Sequence, residues 1–581
     1  MKNKTLLLGN EAVARGLYEA GVRVVSSYPG TPSTEITEAV TQYEEVYSEW
    51  APNEKVAFEV AFGAATGGAR SFSAMKHVGL NVAADPLYTA AYIGVNGGMV
   101  CAVADDPGMH SSQNEQDSRR HAIASKTPML EPCDSAECLE YTKLAFELSE
   151  RFDTPFLLRL STRISHGRSL VELNGRVEVP VREYKKDMMK NVMMPAMARI
   201  RHVDVEKRLE DIRTWAETSG INSVEYNDRR IGIVCAGTSY LYAREALGDR
   251  ASYFKLGLVN PLPLQSLIEF SRNVGQVYVV EELDDVFETH CRKYGISAIG
   301  KLLFPLCGEY SQATVRSALL GEEMPYDKLD AVIPPRPPVL CAGCPHRGMF
   351  AAMRGLDLYV SGDIGCYTLG AQAPLSMMDA CVCMGASVSG LHGYNLARGS
   401  AAAKKSVGVL GDSTFIHSGI TGLIDIVYNK GLSTVIVLDN SITGMTGHQN
   451  NPANGLTIKG DPTVAVDLEA LARAVGIRRV VVVDPLDISE ARRVLEEELA
   501  AEEASLIIAR SPCALLKTVK HNPPLKVDAE KCTGCKMCLK VGCPAISVQT
   551  AEGEKRGKAV VDNNSCTGCG VCATVCKFGA L

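Results

Sequence analysis

Eight of the chain's twenty cysteines stand in two runs close to its end, and these runs limit what the chain can be more than any other feature. Cys532, Cys535 and Cys538 form C-x-x-C-x-x-C, and Cys543-Pro544 follows after four intervening residues. Cys566, Cys569 and Cys572 repeat the spacing, and Cys576 follows after three. The opening stretch, MKNKTLLLGNEAV, has three consecutive leucines, too few for a signal-peptide core or a membrane span. The expected location is the cytoplasm, with no membrane partner. Thiols stay reduced there, so repeated C-x-x-C favours metal over disulfide. A net charge of −7 and the absence of any long basic run speak against nucleic acid as a partner.

Two cysteine triplets, each followed by a fourth Cys, have the spacing of bacterial two-cluster ferredoxins, where the fourth Cys of each run ligates the other cluster. The expected sets are Cys532, Cys535, Cys538 and Cys576 for one 4Fe–4S cluster, and Cys566, Cys569, Cys572 and Cys543 for the other. Structural zinc also takes four thiolates, but zinc ribbons use two C-x-x-C pairs at longer separation. The longer gap before Cys543, and Lys577 where Pro is usual, predict a shifted cluster geometry or potential.

Upstream, 46% hydrophobic residues, 22% charged residues and 51 glycines fit a soluble α/β protein of several domains. NEAVARGLYEAG, PSTEITEAVTQYEEV and NEKVAFEVAFGAATGGA read as helices. VRVVSSYPG, MVCAVADDPG and TPFLLRL read as strands. Such alternation predicts parallel sheets with crossover helices. The expected division is an α/β domain over 1–165 and a charged, Met-rich connector over 166–229, read as a linker helix packed on the surface. A second α/β domain over 230–330 and a third over 340–515 follow, and the cysteine-rich domain covers 525–581.

The sharpest upstream motif is GDSTFIHSGI, at 411–420, followed by LDNSITGMTG. Asp412 and Asn440, 28 positions apart, each end an apparently parallel strand, the edge where open α/β sheets bind ligands. Their side-chain oxygens and a backbone carbonyl just beyond, that of Ile442, make a half-shell for Mg²⁺, completed by diphosphate oxygens and water. Gly411 allows the tight turn, and the amides of the next helix, from Ser413, can face a diphosphate. The pattern looks like the thiamin diphosphate signature, with Ser413 in place of its last Gly. That cofactor needs a carboxylate against its aminopyrimidine. Glu54, opening a helix behind Asn53, is the candidate, and Glu59 one turn on competes.

The order of these parts resembles the 2-oxoacid:ferredoxin oxidoreductases, with pyrimidine, transketolase-C-like and diphosphate domains ahead of a two-cluster ferredoxin tail. Within them it is most similar to the alpha subunits of indolepyruvate enzymes, over essentially the whole chain. The strings that carry this are SYPGTPSTE, DDPGMHSSQNEQDSR, CAGCPHRG, SGDIGCYTLG, GDSTFIHSGI and LDNSITGMTGHQ. The resemblance implies that Thr31 contacts substrate and that Arg119 holds its carboxylate, a task suited to an Arg fork. It places Cys341, Cys344, His346, Gly362 and Asp363 in the cofactor pocket, with His417 near the thiazolium. With no second C-x-x-C nearby, Cys341 and Cys344 are read as pocket residues and not as a third metal site.

The implied reaction is oxidative decarboxylation of aryl pyruvates such as indolepyruvate and phenylpyruvate. Electrons leave singly through the clusters to ferredoxin, and coenzyme A as co-substrate takes the aryl-acetyl group. The chain lacks the superfamily's gamma-like module, so a separate beta subunit of about 200 residues is expected, one or two domains in size. An alpha₂beta₂ assembly follows, because thiamin sites of this fold lie between domains, often of different protomers. The rival readings are another 2-oxoacid specificity, a non-oxidative decarboxylase with structural clusters, and an electron-transfer adaptor with a degenerate thiamin site.

Overall fold

Runs of β-branched residues separated by amphipathic helices build parallel sheets, whose strands must be joined by long crossovers. The computed structural model describes residues 4–324, 329–550 and 556–581, in two compact units, Met1–Asp330 and Ala331–Leu581.

The first unit contains a seven-stranded sheet in the order Leu258–Asn260, Met129–Leu130, Phe156–Ser161, Met99–Asp105, Ser71–Lys76, Val24–Ser27, Tyr47–Trp50. Neighbours are parallel except the first pair. Met99–Asp105 is buried at every position, as a central strand covered on both faces must be. A five-stranded sheet runs Ala298–Ile299, Gln276–Val280, Ile231–Ala236, Ser252–Leu256, Ser223–Glu225. One apolar cluster reaches from Phe58 and Met75 to Val234, Phe254 and Phe287, so the two sheets share a core.

The expected boundaries are crossed twice. Leu258–Asn260 completes the first sheet, although it lies within 230–330. Ser223–Glu225, at the end of the expected connector, edges the second. The connector itself is bound along its length. The Val177 amide donates to the Glu19 carbonyl at 2.9 Å, and Arg182 donates to Gly68 at 3.0 Å. Gly68 has φ +95°, and a Cβ there would lie 2.1 Å from the Arg182 carbonyl, so glycine is required where the connector crosses. The linker helix is Pro195–Thr218, with Val205, Arg208, Ile212 and Ala216 buried at helical spacing. The helix expected over PSTEITEAVTQYEEV stops at Val40, where Thr41 turns its hydroxyl onto the Glu38 carbonyl at 2.6 Å.

The second unit holds an all-parallel six-stranded sheet, Ala380–Cys381, Tyr359–Gly362, Ser406–Gly411, Thr434–Asp439, Ser505–Arg510, Arg479–Val483. Ser406–Gly411 and Thr434–Asp439 are neighbours, with Gly411 opposite Leu438. That register brings Asp412 and Asn440 to the same edge. The C-terminal part has one hairpin, Ile546–Gln549 with Lys558–Val561, and two short helices, Met537–Val541 and Val571–Thr574. Its apolar cluster, centred on Cys538, Ile546 and Ala559, is too small to hold a fold without further staples. Among the described residues no helix is long and apolar enough to cross a membrane.

Candidate functional site

In the second unit three oxygens meet at the sheet edge. The Asn440 side-chain oxygen faces Asp412 Oδ1 and the Ile442 carbonyl, acceptors both. With its amide turned over, the Asn440 nitrogen would donate to these at 3.2 and 2.8 Å. The Asn440 oxygen accepts from the Ile442 amide at 3.3 Å, and acceptors crowded together in this way suit a cation site. Burial and the neighbouring Asp439 charge push Asp412 up to about 7. A divalent cation would restore its charge, so the residues fit Mg²⁺ with a diphosphate. Gly411 has no room for a side chain, since a Cβ would lie 2.8 Å from the Tyr367 ring. The hydroxyl of Ser413 accepts from Thr443 at 3.0 Å and ties the two loops together. Asn451, which the motif did not reveal, donates to Asp412 Oδ2 at 3.1 Å. The helix after Asp412 widens into a π turn at Phe415–Gly419, a distortion frequent at functional sites.

Other expected pocket residues divide. His346 is buried and held neutral, its pKa lowered to about 4 by desolvation, with Nε2 3.4 Å from Asn440 Nδ2. His417 is buried with Nδ1 2.6 Å from the Ser418 hydroxyl. Asp363 accepts from the amides of Ile364, Gly385 and Ser387, and so braces a loop. Gly362 packs against Met378 and Ala380, leaving no space for a Cβ.

The C-terminal thiols frame two cavities in the expected crossed pattern. One is lined by Cys532, Cys535, Cys538 and Cys576, the other by Cys543, Cys566, Cys569 and Cys572. Backbone amides already point at sulfur, Ala559 at Cys532 Sγ at 3.4 Å and Ala580 at Cys576 Sγ at 3.3 Å. Burial and the charges of Cys569, Cys543 and Cys566 push Cys572 up to about 12. The donor sets fit four-iron clusters. A third group was missed. Cys341 and Cys366 each lie within electrostatic reach of both Cys344 and Cys513, and burial with the charges of Cys513 and Cys341 pushes Cys366 up to about 11. The Cys513 amide donates to the Asn440 carbonyl at 3.0 Å, beside the cation site. C-x-x-C was visible, but its partners lie far along the chain. Among the described residues no three His, Cys, Asp or Glu side chains close tightly enough on one bare ion.

In the first unit, Asn53 caps the helix Glu54–Thr66, its side chain accepting from Val56 at 2.9 Å. Glu54 is buried, and a Cβ on Gly79 would lie 2.7 Å from its Oε1, so glycine makes room for the carboxylate. Glu59 is half exposed and paired with Lys55, which leaves Glu54 as the interior carboxylate. Thr31 sits in the loop after Val24–Ser27, and its carbonyl accepts from Ser111 Oγ at 3.2 Å. Lys76, also missed, donates to the Ser111 carbonyl at 3.0 Å, and burial lowers its pKa against the opposing charges of Asp106 and Glu54.

Arg119 requires correction. It is buried, with its donors on Asp117, Glu281 and the carbonyls of Glu282 and Asp284, and its guanidinium stacks on Phe287. Burial alone would raise Asp117, yet Arg119 and Arg159 hold it at about 2. At 1% exposure and held by two carboxylates, the guanidinium is committed to the fold and not presented to a substrate carboxylate. Arg119 is a structural tie between the first unit's two sheets.

Three family models match the chain. "Pyruvate flavodoxin/ferredoxin oxidoreductase, thiamine diP-bdg" covers residues 15–216, "Thiamine pyrophosphate enzyme, C-terminal TPP binding domain" covers 363–509, and "4Fe-4S dicluster domain" covers 524–577. The chain is 40% identical to the indolepyruvate oxidoreductase subunit IorA of Archaeoglobus fulgidus, over 99% of this chain and 96% of that protein. It is 40% identical to the same subunit of Pyrococcus horikoshii over 99% and 96%. For Methanothermobacter marburgensis the identity is 39% over 100% and 97%.

The oxygens around Asp412 predict a pH dependence. A raised carboxyl pKa means that protons compete with the cation below about 7 and not above it. Mg²⁺ affinity, measured calorimetrically with thiamin diphosphate present, should be flat above pH 8 and fall toward ~tenfold per unit below about 7. Affinity unchanged between pH 6 and 8 would remove Asp412 from the ligand set.

Proposed function

The chain belongs to the family of the indolepyruvate oxidoreductase subunit IorA, and from that premise we propose that it decarboxylates aryl pyruvates oxidatively, yielding aryl-acetyl-coenzyme A and reduced ferredoxin. It is an oxidoreductase acting on 2-oxoacids, with thiamin diphosphate and 4Fe–4S clusters and an iron–sulfur acceptor. The observation that carries the finer reading is that one compact unit combines the converging oxygens of Asp412, Asn440 and Ile442 with two four-thiol cavities. A non-redox decarboxylase would gain nothing from that combination.

Bound thiamin diphosphate supplies a nucleophile that stabilises the carbanion left by loss of CO₂. Asp412, Asn440 and the Ile442 carbonyl would hold Mg²⁺ and through it the diphosphate. Glu54 would give a proton to the aminopyrimidine, and its burial against Gly79 excludes water from that exchange. Thr31 would meet the substrate. With Arg119 committed elsewhere, Lys76 beside the Thr31–Ser111 contact is the cation available to a 2-oxoacid carboxylate. Cys341, Cys344, Cys366 and Cys513 would carry a third cluster next to the cation site. The partner would be a smaller beta subunit in an alpha₂beta₂ assembly, in the cytoplasm, with coenzyme A as co-substrate.

Viologen reduction by the oxygen-free alpha–beta complex, with coenzyme A and a panel of 2-oxoacids, tests the assignment. Indolepyruvate and phenylpyruvate should exceed pyruvate by ~100-fold in kcat/KM, because a whole aromatic contact separates them. Glu54→Gln should lower turnover ~10²–10⁴-fold with the cofactor still bound, and Glu59→Gln should not. Equal efficiency on pyruvate and 2-oxoglutarate would reject the aryl specificity.

Iron content checks the thiol sets. The full chain should bind about twelve iron atoms, and a chain ending near residue 525 about four. Values of about eight and none would leave Cys341, Cys344, Cys366 and Cys513 as free thiols.

A further inference from the structure

Arg119 and Arg347 are the two largest charged side chains that are fully buried. Arg119 is neutralised by carboxylates, but Arg347 has none against it among the described residues. Its Nη1 donates to the Val541 carbonyl at 2.6 Å, and its Nη2 to the carbonyls of Leu340 and Cys341 at 2.7 and 3.0 Å. Its Nε has no partner. An isolated buried cation is costly unless an anion offsets it. Arg347 lines the cavity framed by Cys543, Cys566, Cys569 and Cys572. The Cys341–Cys344 loop closes on the same cavity, where a Cβ on Gly343 would lie 2.3 Å from Thr567 Oγ1. The cavity of Cys532, Cys535, Cys538 and Cys576 is lined by C-terminal residues alone, and its nearest cation, Lys536, is exposed.

We infer that Arg347 is a positioning residue that seats the Cys543, Cys566, Cys569 and Cys572 cluster against the diphosphate-binding part, and that its buried charge makes this cluster the more readily reduced of the C-terminal pair. A four-iron cluster with four thiolates is an anion that gains one further negative charge on reduction, with no bond made or broken. A fixed cation in a low-dielectric wall favours that reduced form, whereas water screens Lys536. The inner cluster therefore takes each electron arriving from the substrate side. The outer one passes it to the external iron–sulfur acceptor.

This rests on the reading that both cavities hold clusters, which the iron and sulfide content of each variant tests separately. The experiment is an EPR-monitored redox titration of the iron-loaded complex, with the two C-terminal signals assigned through Cys532→Ser and Cys566→Ser and any signal of the Cys341 set through Cys366→Ser. In Arg347→Gln the ratio of reduced to oxidised inner cluster at its original midpoint should fall at least tenfold, equivalent to a 59 mV downward shift. The outer signal should not move. Arg347→Lys, which keeps the charge, should restore the order of the midpoints. Arg354→Gln removes a half-exposed arginine that also reaches the C-terminal part, through the Lys540 carbonyl, and should leave both signals in place. Equal shifts of both signals in Arg347→Gln, or no shift, would overturn the inference. If Arg347→Gln does not retain iron, Arg347→Lys decides, and a reversed order of midpoints in it would overturn the assignment.

Discussion

Two adjacent parallel strands, Ser406–Gly411 and Thr434–Asp439, end in register, and the residues that follow them are Asp412 and Asn440. Parallel pairing sends both chain ends out at one edge, where neither finds a further ladder partner. The result is a concentration of oxygen with too few protons. Asp412 and Asp439 lie close enough to raise Asp412, and Asn440 can satisfy its neighbours only by turning its amide. The site is the one to which the proposed Mg²⁺ is assigned. Ser413, Thr443 and Asn451 hold its shape by hydrogen bonds that leave the converging oxygens free.

The thiol sets pose the same electrostatic problem. Burial and neighbouring sulfurs raise Cys572 and Cys366, whose protons a metal would displace. The C-terminal part has too small an apolar cluster to fold around those thiols by packing alone. Metal, cluster geometry and the carbonyl contacts of Arg347 therefore act together as its core. A region that owes its shape to its cofactors can be placed with the accuracy that electron transfer requires.

Much of this was legible in the sequence because its chemistry is local. The Cys triplets, the Gly-Asp turn and the Asn-capped Glu54 are set by neighbours within a few positions, and strand alternation located the sheets. What could not be read depends on distant pairing. Arg119 looked free in a charged loop, but Glu281, 162 positions on, takes its guanidinium. Cys366 and Cys513 looked unremarkable until the sheet brought them beside Cys341. Leu258–Asn260 joined the first sheet because an antiparallel edge was open there, which no periodicity announces.

Both units place their reactive groups by one device. In the first, Glu54 and the Thr31 loop follow the carboxyl ends of Tyr47–Trp50 and Val24–Ser27, and Lys76 ends Ser71–Lys76. In the second, Asp412 and Asn440 follow Ser406–Gly411 and Thr434–Asp439. The two edges differ in charge. The first sets a lysine against its buried carboxylates, whereas in the second Asp439 is paired with Arg510 at 2.8 Å and Asp412 has no ion pair among the described residues. That asymmetry follows from which side chains cap otherwise similar strands, and it underlies the proposed division of acid–base work from cofactor anchoring.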